Sequence, residues 1–294
     1  MAVITGAGRG LGRAYALALA GEGARVVVND LGGGTDGSGE SSGPAADVVE
    51  EIRRLGGEAV ANVDDVTDWD GAERIVHSAV AAFARLDVVV NNAGILRDRM
   101  FMNTSAEEWD LIIRVHLRGH FCVGRHASSY WRDQAKAGAA VDARLVNTSS
   151  GAGLMGSVGQ SAYAAAKAGI AALTIVQAAE LGRYGVTVNA LAPSARTRLT
   201  EEVFPEMMAR PAEGFDAMDP ANIAPLVVWL ASSDSRDVTG RVFEAEGGMI
   251  SVADGWQHGG PRDIGRRWTP SEIGPVVREL IAEAPTPAVV YGTV

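Results

Sequence analysis

Residues 2–12 read Ala2-Val3-Ile4-Thr5-Gly6-Ala7-Gly8-Arg9-Gly10-Leu11-Gly12, and their reading decides the fold. The first four are apolar or β-branched, as in a strand buried on both faces, and an Ala/Leu-rich helical pattern starts at residue 11. A glycine turn wedged between strand and helix lets the backbone approach a phosphate and aims free N–H groups at negative charge. Leu11 fills the last glycine place of G-x-G-x-x-G, so the turn alone is a weak signal. Its position between strand and helix strengthens it. Gly6, Arg9, Gly10, Leu11 and Gly12 are the candidate contacts to a dinucleotide pyrophosphate.

Working outward, the next strand-like run ends at Asn29-Asp30. A carboxylate about 20 residues after the glycine turn can accept hydrogen bonds from adenosine ribose hydroxyls and would repel a 2′-phosphate. Asp30 therefore favours NAD; Arg9 pulls towards NADP, and Asp30, expected at the ribose itself, weighs more. Strand-like runs recur at 2–5, 25–29, 59–63, 87–91, 144–148, 186–190 and 241–245. Helical stretches alternate with them at 11–22, 44–56, 68–84, 104–134 (with an end or break at Gly119), 160–182 and 219–232. Repeated β-α units predict an α/β fold: a doubly wound, Rossmann-type parallel sheet in a single domain over residues 1–250. The loop 31–43 is long and rich in Gly and Ser, and the chain after Gly247 reads as irregular, with one further helix at 271–283. Residues 251–294 are expected to form a C-terminal extension on the same domain or on a neighbouring subunit.

The 294 residues are 47% hydrophobic and 21% charged, which supplies a sizeable core and excludes global disorder. A net charge of −10 argues against nucleic acid as a partner. The single cysteine, Cys122, excludes an internal disulfide and fits a small buried hydrophobe. No uninterrupted apolar run reaches the length of a membrane span, and no secretory leader or peroxisomal address stands out, so the expected setting is cytoplasmic, without a membrane partner. No metal constellation is evident among the five histidines.

Tyr163 and Lys167 stand four residues apart, on one face of a helix. A phenol titrates near 10, and a neighbouring ammonium favours its phenolate, which predicts a usable acid/base at neutral pH. Ser150, thirteen residues earlier and just past a strand, can hold the oxygen of an alcohol or carbonyl while Tyr163 moves its proton.

The set Thr5-Gly6-x-x-x-Gly10-x-Gly12, Asn91-Asn92-Ala93-Gly94, Ser150 and Tyr163-x-x-x-Lys167 resembles the motifs of the short-chain dehydrogenase/reductase family. The resemblance implies hydride transfer at the nicotinamide, with Tyr163 as acid/base, Lys167 on the nicotinamide ribose and Ser150 on the substrate oxygen. It also implies Asp65 and Val66 at the adenine, Asn92, Ala93 and Gly94 beside the cofactor, and Asn189 and Pro193 near the nicotinamide. The stretches 26–33, 48–54, 92–98 and 115–119 are similar to one subgroup, the (3R)-hydroxyacyl-CoA dehydrogenase portion of peroxisomal multifunctional enzymes type 2. That likeness implies a 3-hydroxyacyl-CoA or related lipid-derived alcohol as small-molecule substrate.

His116 departs from the broad family, standing where an asparagine usually helps hold a relay water; a relay role and plain helix packing both stay open. Ser194 replaces the usual glycine after Pro193. The small residues of 164–179 suit close helix packing and, by family resemblance, a homodimer or homotetramer. Arg262, Arg266 and Arg267 could meet CoA phosphates, although a solvated basic face or an intersubunit contact is the plainer reading. Phe204, Met207, Met208, Phe215 and Met218 fit either a substrate lid or core packing. Two competing functions remain: a 3-oxoacyl thioester, steroid or xenobiotic carbonyl reductase, and a dinucleotide-sensing protein without turnover.

Overall fold

The computed structural model describes residues 1–34, 38–39, 41–203, 205–253 and 255–293. Phe204 and part of the 31–43 loop thus lie outside the described residues. Eight strands form one sheet: β1 (Ala2–Thr5), β2 (Val26–Asn29), β3 (Ala59–Asn62), β4 (Val88–Asn91), β5 (Ala143–Thr148), β6 (Val186–Ser194), β7 (Val242–Glu246) and β8 (Met249–Ala253). Their order is β3-β2-β1-β4-β5-β6-β7-β8, and every pair is parallel except β7 with β8. The helices are α1 (Gly10–Gly21), α2 (Gly43–Arg54), α3 (Trp69–Phe83), α4 (Ala106–Ile113), α5 (Gly119–Lys136), α6 (Gly151–Met155), α7 (Ser161–Leu181), α8 (Arg198–Val203), α9 (Ala224–Ala231) and α10 (Pro270–Glu283).

The period of two explains the layering. Val3, Val27, Val89 and Leu145 face the side covered by α3 and α5, with Ile75, Cys122 and Trp131. Ala2, Ile4, Val26, Val28 and Val90 face α1, α2 and α9. A strand buried on both sides has no polar face, which is why these runs read as continuously apolar. Helix starts follow local chemistry: Asp68 accepts from Gly71 N at 2.7 Å at the start of α3, and Ser105 and Glu108 close a reciprocal capping box at α4.

Several features differ from the sequence reading. The 104–134 stretch is α4, a π-helical turn over Arg114–Arg118, and α5, which begins at Gly119. A Cβ on Gly119 would lie 2.9 Å from Val66, so glycine permits this close approach. Residues after Gly247 are not all irregular: Gly247, at φ +53°, and Gly248 make a two-residue hairpin, and β8 pairs back on β7 with Glu246 opposite Met249. The short helices α6 and α8 also join the predicted set. By length and composition the segment containing α7 is apolar enough to cross a membrane, yet α7 packs on β5 and β6 as a core helix.

The strand order reverses between β2-β1 and β4, which opens a crevice at the carboxyl ends of β1 and β4.

Candidate active site

The crevice is a cleft of about 310 Å³ floored by the glycine turn. Gly6 has φ +61°, and a Cβ on Gly12 would stand 2.2 Å from the Gly6 carbonyl oxygen. Gly12 itself does not line the cleft; it lets α1 start hard against the turn, while Gly6, Arg9, Gly10 and Leu11 do line it. The N-cap residue of α1, Arg9, makes no side-chain cap, so the first-turn N–H groups are free to meet an anion. Across the crevice, Thr5 Oγ1 accepts from Asn92 N at 2.9 Å and Ala93 N at 3.1 Å, which ties the end of β1 to the turn after β4.

Asp30 stands at the inner end. Its carboxylate accepts from Gly8 N at 2.8 Å and Gly32 N at 2.7 Å, fixing it beside the glycine turn. Arg9 Nη1 donates to the Gly33 carbonyl at 3.2 Å. Asp65 is folded back on Thr67, accepting from its N–H at 2.7 Å and its hydroxyl at 2.9 Å, and Asp65, Val66, Asn92, Ala93 and Gly94 form one wall. Pro193 lines the cleft from within β6. Asn189 does not: it donates to Val238 O at 2.8 Å and accepts from Arg241 N at 3.1 Å, which pins β6 to the start of β7. This cradle suits a dinucleotide: free helix N–H groups for a pyrophosphate, and a carboxylate at the expected place for ribose hydroxyls.

Helix α7 presents Tyr163 and Lys167 to the cleft on successive turns, with Lys167 Nζ 5.5 Å from the Tyr163 ring centre. Nζ donates to the Thr148 carbonyl at 2.7 Å. Ser150, two residues past the end of β5, caps α6 by accepting from Ala152 N at 3.2 Å, and its hydroxyl bonds the Tyr163 phenol in the sense that favours phenolate. The lowering of the phenol expected from sequence is not what these residues produce. Burial raises Tyr163 above its usual value, the Ser150 hydrogen bond opposes it, and the charge of Asp98 adds to the rise. Lys167 is itself so desolvated that it falls to about 7. A buried ammonium that is half neutral at physiological pH supports the phenolate less than a fully charged one would.

His116 sits on the π-turn, buried, with its ring edge-on to Tyr163 at 5.1 Å between centres. Its Nε2 lies 2.7 Å from Ile95 O and 3.2 Å from Ile95 N. One nitrogen cannot donate and accept at once, and the shorter contact assigns the proton to Nε2, donating to Ile95 O. Nδ1 is then an acceptor, buried and without a partner among the described residues. Burial, then the nearby Lys167 charge, holds this imidazole down at about 3, so it stays neutral. Gly94 makes room for it, since a Cβ there would meet the ring at 2.5 Å.

Other groups join the site that motif reading did not select. Asp98 accepts from Gln160 Nε2 at 2.9 Å with one carboxylate oxygen, and its other oxygen is buried without a partner among the described residues. Burial raises the Asp98 carboxyl. His120, four residues beyond His116, accepts from Thr148 N at 3.3 Å and steadies the strand end that holds Lys167. Thr197, in the link after β6, and Arg198 and Thr200 of α8 cover the glycine turn. The segment beyond is latched by Arg196, whose guanidinium pairs with Asp216 and donates to Met208 O at 3.2 Å. Met208 is buried and packs as core, whereas Met207 and Phe215 are exposed. Arg262 and Arg266 are ion-paired with Glu283 and Glu272 on the surface, which weakens the reading of them as a CoA-phosphate site.

The family described as short chain dehydrogenase matches residues 1–208. The chain is 46% identical to hydroxyacyl-CoA dehydrogenase ChsB1 of Mycobacterium tuberculosis, over 96% of this chain and 88% of that one. It is 45% identical to mouse peroxisomal multifunctional enzyme type 2, covering 94% of this chain but only 34% of the longer protein. A crystal structure of a short chain dehydrogenase from Mycobacterium avium superposes with a TM-score of 0.90 at 62% identity, over 99% of this chain and 98% of that one. The glycine turn, the Asn92–Gly94 wall and the Ser150, Tyr163 and Lys167 cluster are thus carried by a member of the short-chain dehydrogenase family, NAD(P)-linked oxidoreductases acting on CH–OH groups.

Proposed function

We propose that this chain is an NAD-dependent dehydrogenase of 3-hydroxyacyl-CoA or a closely related lipid-derived secondary alcohol. The observation that carries the reaction type is the meeting of the Tyr163 phenol and the Lys167 ammonium in a dinucleotide-shaped cleft, with the Ser150 hydroxyl bonded to the phenol from just outside its lining. Asp30 at the other end supports NAD over NADP, because its carboxylate, held by Gly8 N and Gly32 N, would repel a 2′-phosphate. The names of the relatives support the acyl-CoA class.

The bound nicotinamide supplies a hydride acceptor for the carbinol carbon. The protein's residues do the rest. Ser150 orients the substrate oxygen, and Tyr163 Oη accepts its proton as the carbonyl forms. Lys167, anchored on Thr148 O, holds positive charge beside the phenol and can pass a proton onward. Neutral His116, with Nδ1 as acceptor, can take a hydrogen bond from a water or hydroxyl next to this group. Assembly as a homodimer or homotetramer is part of the proposal, supported by the exposed Ile175 and Val176 on the outer face of α7.

The test compares kcat/KM for NAD and NADP with a 3-hydroxyacyl-CoA, in the wild type and in Asp30→Ala. Preference for NAD that shrinks at least tenfold in the variant supports the assignment. Preference for NADP in the wild type refutes the cofactor assignment and favours a carbonyl reductase.

A further inference from the structure

The C-terminal end of the chain reaches the site from outside the family's matched region. Tyr291 forms a parallel bridge with Ser157: Val158 N donates to Tyr291 O at 2.8 Å, and Tyr291 N donates to Gly156 O at 3.2 Å. The pairing continues in side chains. A Cβ on Gly156 would meet Val290 at 3.3 Å, and one on Gly292 would meet Val158 at 3.3 Å. The Tyr291 ring lies on Gly151, whose Cβ would stand 3.0 Å from the phenol oxygen. Gly151 is the residue after Ser150. Burial raises the Tyr291 phenol, and the charges of Glu244 and Glu246 on β7, next to the end of β6, add to the rise. Tyr291 therefore stands beside Ser150, on the side of the carboxyl ends of β6 and β7.

The same loop is held from its opposite edge. Arg99 N donates to Gly159 O at 2.8 Å and Gln160 bonds Asp98 at 2.9 Å, so residues 156–160 run between two clamps. Val158, Val290 and Tyr291 each keep a large apolar surface open to solvent. Open apolar surface beside a catalytic hydroxyl is what an apolar ligand covers.

We infer that residues 289–293 form a wall of the substrate site and that Tyr291 is a specificity-determining residue, taking a long or ring-bearing apolar chain beside the reacting alcohol. The inference rests on the alcohol-dehydrogenase reading above. A short substrate ends before this wall; a long or bulky one lies along it.

The experiment compares wild type, Tyr291→Ala, Tyr291→Phe and a chain ending at residue 288, using 3-hydroxybutyryl-CoA and 3-hydroxyhexadecanoyl-CoA. Thermal melts and NADH affinity within twofold of wild type establish that the variants fold. The expected result is a loss of kcat/KM in Tyr291→Ala and the truncation that is at least tenfold larger for the long substrate than for the short one, carried mainly by KM. Tyr291→Phe keeps the ring and is expected to retain most of the discrimination. Equal losses for both substrates, or none, overturn the proposal. Amide exchange gives an independent readout: 3-oxohexadecanoyl-CoA is expected to protect residues 289–293, and 3-oxobutyryl-CoA is not. Lack of any alcohol turnover in the wild type refutes the parent reading; absence of differential protection refutes the wall whether or not turnover is seen.

Discussion

Replacing Lys167 by methionine removes an ammonium whose burial holds it at about 7, from an ordinary 10.5. A tenfold change in proton affinity is worth about 1.4 kcal/mol, so the buried cation costs the native state roughly 5 kcal/mol at and below neutrality. The substitution also strands the Thr148 carbonyl, now bonded by Nζ at 2.7 Å. Losing that partner costs about 1–3 kcal/mol. The variant is therefore expected to be roughly 2–4 kcal/mol more stable than wild type near pH 7 while losing turnover. The sign with pH follows from linkage: between 7 and 10.5 the unfolded lysine holds a proton that the native one does not, so wild-type stability rises with pH. The gain in Lys167→Met should then shrink by about 1.4 kcal/mol per pH unit and be close to zero near pH 9. Urea unfolding of both proteins at pH 6.5, 8 and 9, at one protein concentration, measures this difference with other titrations cancelling. A gap that does not change with pH refutes the reasoning, because Lys167 would then titrate near its ordinary value.

Gly12→Ala drives a Cβ to 2.2 Å from Gly6 O, and is expected to cost about 1–3 kcal/mol of stability and at least tenfold in NADH affinity, read by fluorescence titration. Asp98→Asn removes a negative charge that raises Tyr163, so the acid limb of the pH–rate profile for alcohol oxidation should move to lower pH; an unchanged or raised limb counts against that assignment. Gln160, the hydrogen-bond partner of Asp98, stays in place, and Arg99 pairs with Glu108 while donating to the Asp98 backbone carbonyl at 3.2 Å. Arg196→Met leaves Asp216 without its guanidinium and should cost roughly 1–3 kcal/mol in thermal or urea unfolding, with substrate KM rising as the segment it latches loosens.

Most of the sheet was legible because burial on both faces leaves strands such as Val26-Val27-Val28 with no polar alternation to confuse the reading. Strand β8 escaped because its residues are largely exposed: Met249, Ile250 and Val252 carry no buried pattern, although Gly247-Gly248 was a hairpin signal. The π-turn at Arg114–Arg118 has no local sequence signature, and from within it His116 reaches Ile95 across the fold. The site shows the same division. Spacing brought Tyr163, Lys167 and Ser150 into view, but Asp98 with Gln160 and Tyr291 with Gly151 are contacts between distant segments. Charge state was the least legible property. A lysine beside a tyrosine suggests a lowered phenol, whereas the folded chain buries both groups and moves them in the opposite sense to that expectation.

The central claim is tested by following NADH absorbance with purified protein, NAD and each enantiomer of 3-hydroxyacyl-CoA at several chain lengths. The account predicts rapid NAD reduction with one enantiomer, falling at least a hundredfold in Tyr163→Phe while NADH still binds, on the order of what loss of a general acid/base removes. Tight NADH binding with no turnover of either enantiomer at any chain length would contradict it.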